Sequence, residues 1–380
     1  MKLNKLNKVL TLILGSSFVL SACVLADNTV KSKIYAKVDG AVGGITYTKN
    51  ERFIFSYHPF YNPNVKVGEL LKNGETIPFP NAEMQRAYKA DGSLKNPADY
   101  LNWVLGVRAD GEGVVWILDS GQAEPRITPK LVAWNVLTNM LDRIIYLPSP
   151  ISLPESQHND LAISHKFNMI VIADEGIGNG PKGDKAALVT VDLKTGVSRR
   201  ILQGHESVLP DFTLPIITDA GTKKQKQIDV FVGADGIVLD RKEEWLYFAP
   251  LNKKYVYRIQ MADIANTALS EKELGNKVEQ YAEKPNNGGL SIDENDNLYL
   301  TVVGERKIGV IPAGTRKYRD YTSDQQMVWP DGVSVGPNGD MYTGAAQLPL
   351  SAPLNNGVAE NKPPYLIYQF RPIADGVLGR

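Results

Sequence analysis

The chain has 380 residues, 43% of them hydrophobic, and its 42 lysines and arginines balance its 42 aspartates and glutamates. A near-neutral mixture of this kind excludes a polybasic nucleic-acid surface, and the apolar content excludes a disordered chain. With 33 glycines, 23 prolines and 8% aromatics the composition suits a turn-rich all-β protein, and a single cysteine excludes an intramolecular disulfide.

At the start of the chain Lys2, Lys5 and Lys8 precede an apolar stretch from Val9 to Leu20, which runs into Ser21-Ala22-Cys23. A basic start, a short apolar run and small residues make a secretory signal rather than a bilayer span. Leu20-Ser21-Ala22-Cys23 resembles the lipobox of bacterial lipoproteins, in which the cysteine sulfur is alkylated by diacylglycerol and becomes the new N-terminus. Residues 1–22 are therefore expected to be a cleaved signal peptide, Cys23 the lipidation site, and residues 23–40 a lipidated lead-in containing a possible closing strand. The expected location is the cell envelope, anchored by acyl chains and facing the periplasm or the exterior. Val24 in place of an aspartate implies, by the same resemblance, the outer membrane of a Gram-negative cell. The expected partners are the membrane and a small molecule, with no nucleic acid.

From residue 41 to residue 380 one layout recurs six times: a small or acidic residue, a short apolar strand, a polar turn and a second apolar strand. The openings are Gly43-Gly44-Ile45, Leu105-Gly106-Val107, Asn159-Asp160-Leu161, Asp235-Gly236-Ile237, Gly288-Gly289-Leu290 and Asp331-Gly332-Val333. The matching second strands are centred on Ile54, Trp116, Val171, Tyr247, Tyr299 and Tyr342. A third strand follows in most repeats, as in Leu131-Val132-Ala133 and Val256-Tyr257-Arg258. Such a repeat predicts an all-β, six-bladed β-propeller forming a single domain. The segment from Lys33 to Val38 is expected to pair with the sixth blade and close the ring. The stretch from Met261 to Lys277 is the one good helical candidate, while Gly176 to Pro181 and Asp293 to Asn297 read as a loop and a hairpin turn.

In such a fold the first residues of the inner strands crowd around one mouth of the central channel. Asn159, Asp235 and Asp331 then bring three oxygen-bearing side chains together, a set able to hold a hard cation such as calcium. The same residue types at strand starts are also ordinary turn chemistry. The ends of the second strands add Tyr57, His58, Asp119, Asp174 and, nearby, Gln347, the surrounding loops add His158, Asn286, Asn287 and Trp329, and Tyr57 or Trp103 could stack on an aromatic ligand. His58, His158 and Asp331 are the candidate acids and bases; Tyr57, Trp103, Asp119, Asp174, Asn287 and Gln347 are candidates to touch a ligand. No paired-histidine zinc motif, thiol nucleophile or Gly-x-Ser-x-Gly elbow is present.

Several segments, in order along the chain, resemble the major royal jelly and yellow proteins in their bacterial form. They include Leu101 to Gly121, Asn159-Asp160-Leu161-Ala162, Gly233-Ala234-Asp235-Gly236-Ile237, Trp329-Pro330-Asp331-Gly332-Val333 and Lys362-Pro363-Pro364-Tyr365. The resemblance implies a six-bladed propeller, export, and a small-molecule role of the dopachrome tautomerase-related kind. Two alternatives stand beside it. One is a metal-dependent lactonase of the gluconolactonase and regucalcin group, whose metal is held by a glutamate, an asparagine and an aspartate. Asn159 and Asp235 match the last two, and Gly43 stands where the glutamate belongs. The other is a non-catalytic small-molecule binding protein.

Overall fold

The computed structural model describes residues 30–220, 222 and 224–380, so the expected signal peptide and Cys23 lie outside the described residues. Six four-stranded antiparallel sheets surround one axis. Counting each blade from its inner strand outward, blade 1 is Val42–Tyr47, Phe53–Tyr57, Val67–Leu70 and Thr76–Pro78, and blade 2 is Val104–Ala109, Val114–Asp119, Lys130–Asn135 and Met140–Tyr146. Blade 3 is His158–Ser164, Met169–Asp174, Ala187–Asp192 and Ser198–Ile201, and blade 4 is Ala234–Leu239, Trp245–Pro250, Tyr255–Gln260 and Glu279–Glu283. Blade 5 is Leu290–Ile292, Leu298–Val302, Lys307–Ile311 and Arg319–Ser323; blade 6 is Pro330–Val335, Met341–Ala345 and Tyr365–Phe370. Its outermost strand is Lys33–Val38, which pairs antiparallel with Tyr365–Phe370, Val38 opposite Tyr365. The ring is thus closed by the two ends of the domain, as the sequence predicts, and no inner edge is left open.

The second and third strands are apolar on both faces because each blade is sandwiched between two others. Between blades 2 and 3, for instance, Trp116, Leu118 and Leu131 pack on Ile163, Ile170, Ile172 and Val189. Tight packing at the axis depends on small residues in the inner strands. A Cβ on Gly106 would lie 2.5 Å from the carbonyl oxygen of Asn159, and one on Gly236 would lie 2.5 Å from that of Gly288. Blade 3 has Asp160 at the corresponding place, and its carboxylate takes a two-pronged ion pair from Arg108 of blade 2 at 2.8 and 2.9 Å. Arg380 also reaches blades 3 and 4, its side chain donating to Ile163 O and Glu243 Oε1.

The helical candidate resolves into two short helices, Met261–Ala265 and Glu271–Gly275, the second opened by a Ser270/Glu273 capping box. The intervening Asn266 to Leu269 turn breaks the continuous helix that the apolar spacing suggests. Between blades 3 and 4 a hairpin of Ile216–Thr218 and Lys226–Ile228 forms a separate two-stranded sheet. Its Ile216 and Ile228 join Leu251, Trp329 and Leu348 in an apolar cluster over the channel mouth. Lys226 Nζ ties it across the mouth to Pro349 O at 2.9 Å, Leu354 O at 2.8 Å and Asn355 Oδ1 at 2.6 Å.

Candidate functional site

The inner strands deliver Asn159, Asp235 and Asp331 to one end of the channel, where they meet His58 and Glu175 around a cavity of about 40 Å³ roofed by Ile177, Ile216, Val230, Trp329, Leu348 and Leu354. His58 ends the second strand of blade 1 and opens the short turn Pro59–Tyr61, where its Nδ1 accepts the backbone N–H of Phe60 at 3.2 Å. That bond places the ring hydrogen on Nε2, which lies 3.7 Å from Asp331 Oδ2. Asn159 Nδ2 donates to Asp235 Oδ1, and Gln157 Nε2 donates to Glu175 Oε2.

Burial and like charge act together on these acids. Burial, and then the charge of Asp160, raise Asp331 to about 7. Asp235 is raised by burial and next by Asp331, and Glu175 by burial and next by Asp235. Burial holds the His58 imidazole neutral, with its pKa lowered to about 3. The buried ammonium of Lys284 supplies opposing charge near Asp235; it sits among the carbonyls of Pro250 and Lys253 at 2.8 and 2.7 Å, and burial lowers it to about 7. The cavity therefore holds carboxyl groups of raised proton affinity, Asp331 among them near its midpoint at neutral pH, beside a neutral imidazole of fixed tautomer.

Other candidates from the sequence lie elsewhere. His158 is fully buried inside blade 3, its Nε2 2.7 Å from Ser152 Oγ and its Nδ1 3.9 Å from Asp174 Oδ2, so it does not reach the mouth. Asp119 accepts the backbone N–H groups of Asn102, Trp103 and Gly121 and lies 3.3 Å from Lys130 Nζ. Asp174 does the same in blade 3, accepting from Gln157 N, Gly176 N, Ser156 Oγ and Arg200 Nη1. These two carboxylates are loop anchors with their lone pairs occupied, not ligand contacts. Asn287 is buried and donates to Gly288 O at 2.7 Å. Gln347 exchanges hydrogen bonds with the Lys362 backbone away from the cavity. Trp103 packs on Phe60 with ring centroids 6.1 Å apart. Tyr57 faces a neighbouring groove, its hydroxyl bonded to Asp39 and Thr76.

Glu175 and Lys284 escape the sequence reading. For Glu175 a signal exists: Asp119-Ser120-Gly121 and Asp174-Glu175-Gly176 are the same turn in adjacent blades. In each the aspartate anchors the loop and the glycine takes a positive φ, 65° and 72°. The middle residue is the variable one, Ser120 bonding His158 O and Glu175 lining the mouth.

A regucalcin-like centre does not assemble from these residues. A side chain at Gly43 would begin 2.9 Å from Ser56 Oγ and 3.6 Å from the His58 ring, so the space for a glutamate ligand is already filled. Among the described residues no group of three or more His, Cys, Asp or Glu is placed to hold a metal ion.

The model of the major royal jelly protein family matches residues 104–343. No curated protein matches the chain by sequence. Among solved structures, a luciferin-regenerating enzyme superposes with a TM-score of 0.56 at 12% identity over 92% of this chain and 98% of its own. A gluconolactonase from Xanthomonas campestris gives 0.56 at 8% identity, over 90% of each chain. The calcium-binding protein regucalcin from Agrobacterium tumefaciens gives 0.53 at 13%, over 91% of this chain and 96% of its own. At these identities the likeness is one of fold.

Proposed function

The chain belongs to the major royal jelly protein family, and from that starting point we propose that it binds a small molecule at the channel mouth, beside the acid-lined cavity, and moves protons within that molecule, the chemistry of a dopachrome-type tautomerisation. The observation that carries this reading is the pairing of His58 with Asp331 at 3.7 Å inside an apolar, acid-lined cavity. A tautomerisation removes a proton from a ring carbon and returns one to a conjugated oxygen, with no electron gained or lost and no group leaving. Asp331, partly ionised near neutral pH, is suited to take the proton. Glu175 and Asp235, whose proton affinity is raised by burial and by neighbouring carboxylates, are suited to return one. His58 presents its Nε2 hydrogen toward Asp331 and orients that carboxylate. In the same proposal the chain is exported and held at the cell envelope through acyl chains on Cys23.

A calcium-dependent lactone hydrolase is the second reading. Two buried carboxyl groups, Glu175 and Asp235, and the partly buried Asp331 around one cavity favour it, since buried acids are commonly neutralised either by protons or by a cation. The crowding at Gly43 weighs against it.

The test is the decay of dopachrome absorbance with purified full chain, His58→Gln and Asp331→Asn, with and without chelator. Acceleration that falls about a hundredfold or more in either variant and survives chelator supports proton transfer. A rate equal to the buffer blank removes this reading in favour of binding alone. Chelator-sensitive opening of gluconolactone would install the second reading instead.

A further inference from the structure

The acid-lined cavity, at about 40 Å³, has room for water and little more. Beside it a groove of about 730 Å³ opens between blade 1 and the loop that precedes the Tyr365–Phe370 strand, within the usual range of a small-molecule pocket. His58 and Phe60 line both spaces and so form the partition between them. The groove is the larger room, and it shares a wall with the chemistry.

Its lining restricts what it can take. Tyr57, Tyr61 and Tyr365 supply ring surface, the last two in an edge-to-face arrangement with centroids 5.8 Å apart. Asn361 Nδ2 donates to the Tyr365 hydroxyl at 2.6 Å, which leaves Asn361 Oδ1 buried without a partner. An acceptor of that kind calls for a donor from a bound molecule, because an unmade buried hydrogen bond costs about 1–3 kcal/mol. No lysine or arginine is among the described residues that line the groove, while the carboxylate of Asp39 is. A carboxylate-bearing ligand would meet like charge and the negative faces of tyrosine rings, with no cation to compensate.

We infer that the blade 1/blade 6 groove seats the substrate, and that it selects a neutral aromatic ring carrying an O–H or N–H donor over the same ring carrying a carboxylate. The ring packs among the three tyrosines and its donor pairs with Asn361 Oδ1. His58 then lies against the bound ring on one side and faces Asp331 on the other. Naming the bound molecule a substrate rests on the proton-transfer reading above; the binding assignment does not.

Isothermal titration calorimetry of the purified full chain decides it, with catechol and indole as neutral probes and 3,4-dihydroxybenzoate and indole-2-carboxylate as their anionic counterparts. The neutral probes are expected to bind, and the anionic ones at least about tenfold more weakly. Asn361→Leu should weaken the neutral probes by a similar factor. Ile77→Trp, at an exposed position on the groove wall, should block them without disturbing the core, and circular dichroism checks the fold of both variants. Equal affinity for neutral and anionic probes, no binding of either neutral probe, or unchanged affinity in a folded Ile77→Trp would each overturn the inference. Binding reports on the groove and dopachrome turnover reports on proton transfer, so either can fail while the other stands.

Discussion

His58 Nε2 faces Asp331 Oδ2 across 3.7 Å, and the protein pushes the two groups in opposite directions. Burial raises Asp331 to about 7 and lowers His58 to about 3, so at neutral pH the imidazole is uncharged and the carboxyl is near its midpoint. Across that gap the neutral ring presents its Nε2 hydrogen to the carboxylate without forming a buried ion pair.

The two groups should leave opposite marks on stability. The proton on Asp331 is bound more tightly in the folded chain than in the unfolded one, so its contribution is complete below about 4 and is lost as pH rises to about 7. Asp331→Asn, which mimics the protonated form, is expected to remove that decline and to stabilise the fold near pH 7 by roughly 2 kcal/mol. For His58 the neutral ring is favoured by folding, so its contribution is complete above about 6.5 and is lost as pH falls toward 3. His58→Gln should flatten the acid limb. Thermal melts of the three proteins from pH 3 to 8 read both effects, and unchanged profiles would show that neither group is buried as described.

Asp119 and Lys130 test the claim that the sequence candidates beside the mouth are loop anchors. Both side chains are fully buried, and Asp119 also holds three backbone N–H groups. Asp119→Ala strands an ammonium and those donors, so urea unfolding should show a loss of about 3–5 kcal/mol. Affinity for neutral aromatic probes, measured below the melting transition, should stay within a factor of about two. A ligand contact would give the reverse pattern, with stability kept and affinity lost.

The ring was legible in the sequence because each blade repeats the same physical demand. A small residue near the start of the inner strand permits close approach at the axis, and an apolar second strand meets neighbours on both faces. The site was legible only in part. Position along a strand told that Asn159, Asp235 and Asp331 share one mouth, but not that His158, one residue before Asn159, turns inward to Ser152. Nor did it tell that Asp119 and Asp174 spend their oxygens on backbone N–H groups. Glu175 was hidden because the turn it occupies requires only its aspartate and glycine, and Lys284 because its cage of carbonyls is built from residues that no motif links.

Gly106 bears on how tightly the axis is closed. A methyl group there would begin 2.5 Å from Asn159 O and 2.9 Å from a Leu161 methyl, and Asn159 is the residue that donates to Asp235. Gly106→Ala must therefore push blade 3 outward or tilt its inner strand, at a cost of about 1–3 kcal/mol. The same shift should disturb the mouth, so dopachrome turnover should drop even though residue 106 carries no functional group. Gly111, whose added Cβ would meet nothing within 4 Å, provides the comparison, since Gly111→Ala perturbs only its own turn at φ 77°. Equal effects of the two substitutions would show that packing at the axis does not position the site.

Calcium separates the two chemical readings most directly. In this chain the place of a third, charged ligand is taken by Gly43, with Ser56 and His58 filling the space beside it, and the remaining acids are relieved by protons and by Lys284 rather than by converging on one point. Elemental analysis of the purified chain is accordingly expected to find well below one divalent ion per molecule, and chelator should leave the melting temperature unchanged within about 1 °C. Added calcium at millimolar concentration should raise it no further. If instead one ion per chain is found and is lost in Asp235→Ala, the three carboxyl groups must draw together around it. Their raised proton affinity would then mark a metal site in its ion-free form, and the lactone hydrolase reading would displace proton transfer.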